Sequence, residues 1–246
     1  MNGRRIALNL FITGLLFGGQ KNAFCVSSPE QPPSDVLKRV DEIRNPASDF
    51  LMKVAVSANG SQDETKVFEV STSGSEHTLI KTLEPPRDRK RDLLMVQQSM
   101  WAYIPNLSRS VRVSLSQKLN GDAANGDISR MRWADDYSFT LESQSPEQWV
   151  LLLVAKKEGL TYEKIRAFID KKNFRPVKAE YLSKDLLVLK NARFYDYKTL
   201  AGSLRPSKIE IEDAVRKDKK TLIEILDLQE RKFAAAQFSP ERFGVQ

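Results

Sequence analysis

The sequence predicts a mainly β protein built from consecutive antiparallel hairpins. Three observations carry this reading. Period-two alternation of apolar and polar residues recurs in ten or more short segments between residue 49 and about residue 228, and turn-forming pairs such as Asn59-Gly60, Lys172-Asn173 and Gly202-Ser203 stand between them. No long helical pattern alternates with the strands, as a parallel α/β sheet requires. At 246 residues, with 41% hydrophobic and 29% charged residues, the chain has the composition of a folded globular protein and enough length for a sizeable core.

Residues 1–25 read as a secretory signal peptide. Arg4 and Arg5 precede the apolar run IALNLFITGLLFGG (6–19), and the polar SSPEQPPS follows. The run is shorter than the ~20 residues that a bilayer core requires. Cleavage after Ala23-Phe24-Cys25 leaves no cysteine and hence no disulfide, so stability has to come from packing. A lipoprotein signal also uses a cysteine here, but Phe24 directly before Cys25 fits it poorly. Losing Arg4, Arg5 and Lys21 lowers the formal net charge from +7 to +4, which removes much of the apparent basic signal. Residues 26–33 then form a Pro/Ser-rich linker, and 34–246 a single domain.

SDVLKRVDEIRNP (34–46) predicts a helix, with Ser34 as N-cap, Val36, Leu37, Val40 and Ile43 on one face, and Asn45-Pro46 as its end. DFLMKVAVS (49–57) sets Phe50, Met52, Val54 and Val56 on one side of a half-buried strand. Similar strands begin at Thr65, His77, Arg91, Met100 and Arg109, and after a gap at Asp136, Gln148, Glu163, Pro176, Asp185, Ser207 and Thr221. The gap, KLNGDAANGDISRMRWADD (118–136), has two Asn-Gly pairs and then Asp127 as N-cap of a short helix with Ile128 and Met131 on one face. Such a helix can lie over the sheet as a lid.

The inventory of reactive groups is thin. His77 is the only histidine, and with no cysteine after residue 25 neither a Ser-His-Asp nor a Cys-His site has a base. Zinc-type ligand spacing is missing, Asp122, Asp127, Asp135 and Asp136 do not follow a calcium-loop pattern, and there is no phosphate-binding glycine loop. Glu210 and Glu212 alternate with Ile209 and Ile211 and belong to a wet face. The expectation is therefore a protein that is not an enzyme and has neither metal nor cofactor. PPRDRKRD (85–92) concentrates Arg87, Arg89, Lys90 and Arg91, a candidate contact for phosphate head groups or an acidic partner, or else a solvated hairpin loop. Export argues against nucleic acid.

SMWAYIPNLSRSVRVS (99–114) directs Trp101 and Tyr103 one way and Ala102 and Ile104 the other, either as core or as the wall of a cavity. A dozen strands with one apolar face each need more cover than two short helices supply. Either the sheet closes on itself, or its concave face keeps a hollow that a guest fills.

RDLLMV, MWAYIPNLSRSVRVS and NGDISRMRWADDY, preceded by LEPPRDR and followed by FSPERF (238–243), together resemble the LolA-like outer-membrane lipoprotein-sorting proteins of Gram-negative bacteria. The resemblance implies an incomplete, strongly curved antiparallel β-barrel with a few helices plugging its concave side around a cavity for acyl chains. It also implies a periplasmic carrier of lipoproteins or other lipids, passing them from an inner-membrane transporter to an outer-membrane acceptor. A sensor of the same fold that regulates a membrane partner is the alternative. Met52, Met95, Trp101, Tyr103, Ile128, Met131, Trp133 and Phe139 are the candidate cavity lining, because methionines and aromatics make adaptable walls.

Overall fold

A computed structural model of the chain describes residues 31–129, 132–216 and 218–244. The expected signal peptide (1–25), most of the linker and Met131 lie outside the described residues. Helix α1 (Val36–Arg44) leads into six strands, β1 (Phe50–Ala58), β2 (Thr65–Ser73), β3 (His77–Glu84), β4 (Leu93–Val96), β5 (Ser99–Ile104) and β6 (Arg109–Val113). A crossing segment carries the small hairpin β7 (Lys118–Asn120) and β8 (Ala123–Ala124), then α2 (Asn125–Ser129) and α3 (Trp133–Asp136). Seven strands complete the chain: β9 (Tyr137–Gln144), β10 (Gln148–Ala155), β11 (Lys164–Asp170), β12 (Pro176–Leu182), β13 (Val188–Leu200), β14 (Ser203–Asp213) and β15 (Lys220–Glu230).

Thirteen of these strands form one antiparallel sheet in the order β6-β5-β4-β3-β2-β1-β15-β14-β13-β12-β11-β10-β9. Two meanders are thus joined through β1 and β15, with Met52 opposite Leu228. The sheet is not closed: it curls like an incomplete barrel with β6 and β9 as its edges. Chain order explains the plug. After β6 the chain stands at one edge and must reach the other before β9 can start, and the crossing segment spans the interval over the concave face. Ala123, Ala124, Ile128 and Trp133 are buried there, and Ala123, Ile128 and Trp133 share one core with Phe50, Met52, Val54 and Val56.

Strand register fixes which side chains face inward. From Met52 the inward line passes through Val70, Ile80, Leu93 and Met95 to Met100 and Ala102. The neighbouring parity forms an outer line through Ser71, Leu79, Leu94 and Trp101. This outer side is not bare. The C-terminal segment 231–244 lies against it and builds a second small core from Leu79, Leu94 and Phe238, with Val96, Phe233 and Phe243 packed on it.

Three local expectations are corrected. Ser34 is not the cap of α1: Asp35 takes that position, makes no side-chain cap bond and pairs with Arg39 at 2.9 Å. The buried face of α1 is also turned, because Asp41 and Arg44 are buried while Ile43 is only half-buried. These charges are tolerated because each finds partners, and Arg205 on β14 donates to the Glu42 carbonyl at the C-terminal end of α1, 2.5 Å away. The predicted helix beginning at Asp127 is instead two short helices, and the stretch before it pairs as β7–β8. Gly121 makes that hairpin's turn at φ 55°, where an added Cβ would overlap Thr221 on β15.

Candidate functional site

Between the inner faces of β2–β6 and the hairpin β7–β8 lies an open cleft of about 400 Å³. Phe68, Leu93, Ala102 and Val113 give it an apolar wall from the sheet, and Leu119 faces them from the hairpin. Lys66, Asp88, Arg91 and Lys118 are its charged members, and Thr82, Asn106, Gln117 and Asn125 add neutral polar groups. The cleft exists because β7–β8 is short and is tied down at its tip. Asn120 donates to the Val56 carbonyl at 2.7 Å and to the Glu64 carbonyl at 2.8 Å, and the Asp122 amide donates to the Thr221 hydroxyl at 2.8 Å. The hairpin therefore stands over one end of the β2–β6 face without filling it.

Under α2 and α3 the interior is nearly full. A void of only about 30 Å³ remains there, bounded by residues that include Trp133, Tyr137, Ile165, Phe194 and Ile209. The helices are held by buried polar contacts. Asp41 on α1 accepts from the Trp133 amide at 2.9 Å and the Ala134 amide at 2.8 Å, so a carboxylate from another helix caps α3. Arg44 pairs with Asp41 at 3.3 Å and lies 4.1 Å over the Trp133 ring. Burial pushes the Asp41 carboxyl up to about 6, against the pull of Arg44 and the two amides.

A second set of contacts ties α2 to the far half of the sheet. The Tyr162 hydroxyl donates to the Asp127 carboxylate, 3.0 and 3.1 Å from its two oxygens, and Tyr162 stacks on Tyr181 with ring centres 3.9 Å apart. Asp127 also accepts from the Ala124 amide at 2.8 Å. Lys190 reaches inward from β13 and donates to the Asp122 carbonyl at 2.6 Å and to the Tyr162 oxygen at 3.3 Å. Burial raises the Asp127 carboxyl above its ordinary range while Lys190 opposes it, and burial with the nearby carboxylate pushes the Tyr162 hydroxyl well up. These groups satisfy one another and act as a latch. Among the described residues, no group of three or more His, Cys, Asp or Glu side chains is placed to hold a metal ion.

The structure separates the sequence-predicted lining residues into three places. Met52, Met95, Ile128 and Trp133 are buried in the main core, with Phe139 packed against it, and Trp133 meets Phe194 edge-on at 6.1 Å. Trp101 is on the outer face, contrary to the expectation that it looks into the cavity, while Tyr103 shares that side of β5 and still reaches the edge of the cleft. Trp101 lies opposite Leu94 and under Arg112, 5.2 Å from the ring centre, and Tyr103 borders the cleft while its ring packs on Phe243 at 6.4 Å. Met131 lies outside the described residues.

Of the four predicted cations, Arg91 borders the apolar cleft and Arg87 a neighbouring one. Arg89 turns back to Glu84 at 3.3 Å, and Lys90 is exposed at a positive φ of 68°. Sequence reasoning missed Phe68, Leu93, Ala102, Val113 and Leu119. The signal for the strand residues was present in the register: once Met95 faces inward, its partner Met100 and then Ala102 must follow.

An open, strongly curved antiparallel half-barrel with a crossing plug and an apolar inner cleft defines a class of binding fold. A family model whose description reads "Uncharacterized protein" matches residues 74–244, and the chain belongs to that family. It also belongs to the LolA superfamily. The structure of the LolA superfamily protein NE2245 from Nitrosomonas europaea is 31% identical, with a TM-score of 0.77 over 84% of this chain and 97% of that one. A putative outer membrane lipoprotein-sorting protein domain from Vibrio parahaemolyticus shares the fold at 18% identity and a TM-score of 0.70, over 85% of this chain and 97% of that one. A DUF1329 family protein from Desulfovibrio piger does so at 19% identity and 0.71, over the same shares of the two chains. No curated protein matches.

Proposed function

We propose that the protein is a periplasmic carrier that holds an acyl chain of a lipoprotein or another lipid in the β2–β6 cleft and passes it toward the outer membrane. The observation that carries this reading is the apolar inner wall of Phe68, Leu93, Ala102 and Val113, left open beneath Leu119 of the plug hairpin. Its volume of about 400 Å³ lies within the roughly 300–1,000 Å³ common for small-molecule pockets. The proposed signal peptide at 1–25 supplies the export step, 34–246 is the functional domain, and the kinship with lipoprotein-sorting folds supports the assignment. Burying acyl chains yields about 0.8 kcal/mol per methylene, so a 16-carbon chain is worth roughly 12 kcal/mol before ordering costs. Escape into water is then slow, and loading and release require direct contact with a membrane donor and acceptor. An inner-membrane transporter and an outer-membrane acceptor fill these roles. No bond is made or broken, and the chain is a binding protein with no enzymatic step and no cofactor.

Lipid extracted from protein purified out of its native envelope and identified by mass spectrometry tests the reading directly. Ala102→Trp places an indole in the cleft and weakens binding of a fluorescent fatty acid about tenfold, or about 1.4 kcal/mol, with the melting temperature little changed. Empty protein together with unaltered probe binding by the variant would sink the carrier reading.

A further inference from the structure

Next to the apolar cleft is a second one of about 440 Å³, where the β1–β2, β3–β4, β7–β8 and β14–β15 connections meet at one end of the sheet. Five cations line it against three carboxylates, Asp63, Glu64 and Asp122. Lys66 and Lys118 border both clefts, so the greasy wall and the basic cradle are contiguous. The cradle is partly built. Buried Asp122 holds Lys118 at 2.7 Å and Arg216 at 3.4 Å, and Asp88 holds Lys66 at 3.0 Å. Arg87 and Lys219 line the same cleft and make no ion pair among the described residues.

Resting on the acyl-carrier reading, we infer that the protein selects lipids with an anionic phosphoryl head group, whose chain lies in the apolar cleft and whose phosphate sits in this basic cradle. Arg87 and Lys219 donate to the phosphate oxygens, and Lys66 and Lys118 stand at the neck between head and chain. Arginine and lysine make charge-assisted bonds to phosphate. A zwitterionic head group brings its own ammonium against the same cations and loses part of that attraction. Arg87 and Lys219 are exposed, so the preference weakens as salt screens it.

The test is uptake of fluorescent phosphatidylglycerol and phosphatidylcholine, with matched chains, from vesicles at low and physiological salt. Wild-type protein takes up phosphatidylglycerol about tenfold better, more so at low salt. Arg87→Glu with Lys219→Glu brings phosphatidylglycerol uptake down to that of phosphatidylcholine at an unchanged melting temperature. Equal uptake of the two lipids by the wild type overturns the head-group inference and leaves the acyl carrier standing, and so does a parallel fall of both lipids in the variant. Uptake of neither lipid removes the carrier reading and this inference with it. Competition by inorganic phosphate at concentrations as low as those of the lipid assigns the cradle to a free anion and overturns the lipid assignment.

Discussion

Asp41→Ala lowers stability at pH 7 by about 3 kcal/mol, measured by urea unfolding. The substitution removes the acceptor for the Trp133 and Ala134 amides and leaves Arg44 buried without its carboxylate. Arg44 keeps the Trp133 ring, 4.1 Å away, but a ring face does not replace an anion. Asp41→Asn isolates the ionisation. Because the folded carboxyl titrates near 6 and the unfolded one near 3.8, the folded chain holds a proton between these values that the unfolded chain has released. The stability this proton confers is complete below about pH 4 and is lost as the pH rises through 6. The gap between the two values is equivalent to about 3 kcal/mol, so the wild-type advantage over Asp41→Asn shrinks by that order from pH 4 to 7. Asp88 and Asp213, held low by Lys66 and Arg216, act in the opposite sense and in a more acidic window, losing their contribution as the pH falls. A pH-independent difference between wild type and Asp41→Asn contradicts this account.

Most strands were legible because each carries its own alternation. All thirteen strands of the large sheet coincide with segments expected to be strands, and the helix before β1 follows from the spacing of Val36, Leu37 and Val40. The hairpin β7–β8 was not legible, since three residues and two residues are too few to establish a period. The burial of Asp41 and Arg44 was not legible either. It depends on α3 and β13 arriving from distant parts of the chain to bring the Trp133 and Ala134 amides and the Trp133 and Phe194 rings.

The inversion of β5 has a more specific cause. Period-two patterning identifies an inner face only when the other face is polar. On β4 and β5 both faces are apolar: Leu93, Met95, Met100 and Ala102 look inward, while Leu94, Val96, Trp101 and Tyr103 look outward. The larger aromatics drew the assignment, yet they belong to the side covered by the last fourteen described residues. Small Ala102 lines the cleft because open space there needs a small side chain. The need for a crossing segment, by contrast, follows from topology, since a meander that ends at one edge resumes at the other, and the apolar Ala123, Ile128 and Trp133 put that segment on the concave face.

That outer cover leads to the second large effect. Phe238 is buried between His77 and Phe233, with ring centres 5.8 and 5.9 Å away, and rests on Leu79 and Leu94. Phe238→Ala opens this small core and costs about 3 kcal/mol. Ending the chain at Glu230 goes further, because it also removes the Phe243 contact to Tyr103, the bond from the Ser110 hydroxyl to the Phe243 carbonyl at 3.4 Å, and the bond from Gln237 to the Ser71 hydroxyl at 3.2 Å. An apolar patch on an exposed sheet face promotes association. The shortened chain is therefore expected to elute as larger species in size-exclusion chromatography while keeping its β-sheet circular dichroism, and Trp101 fluorescence is expected to change with it. Since β5 and β6 also carry Ala102 and Val113 of the cleft, loosening them from outside speeds the release of a bound fatty acid. A truncated protein that stays monomeric, melts with the full chain and releases its probe at the same rate would show that segment 231–244 neither supports β5 and β6 nor governs the cleft.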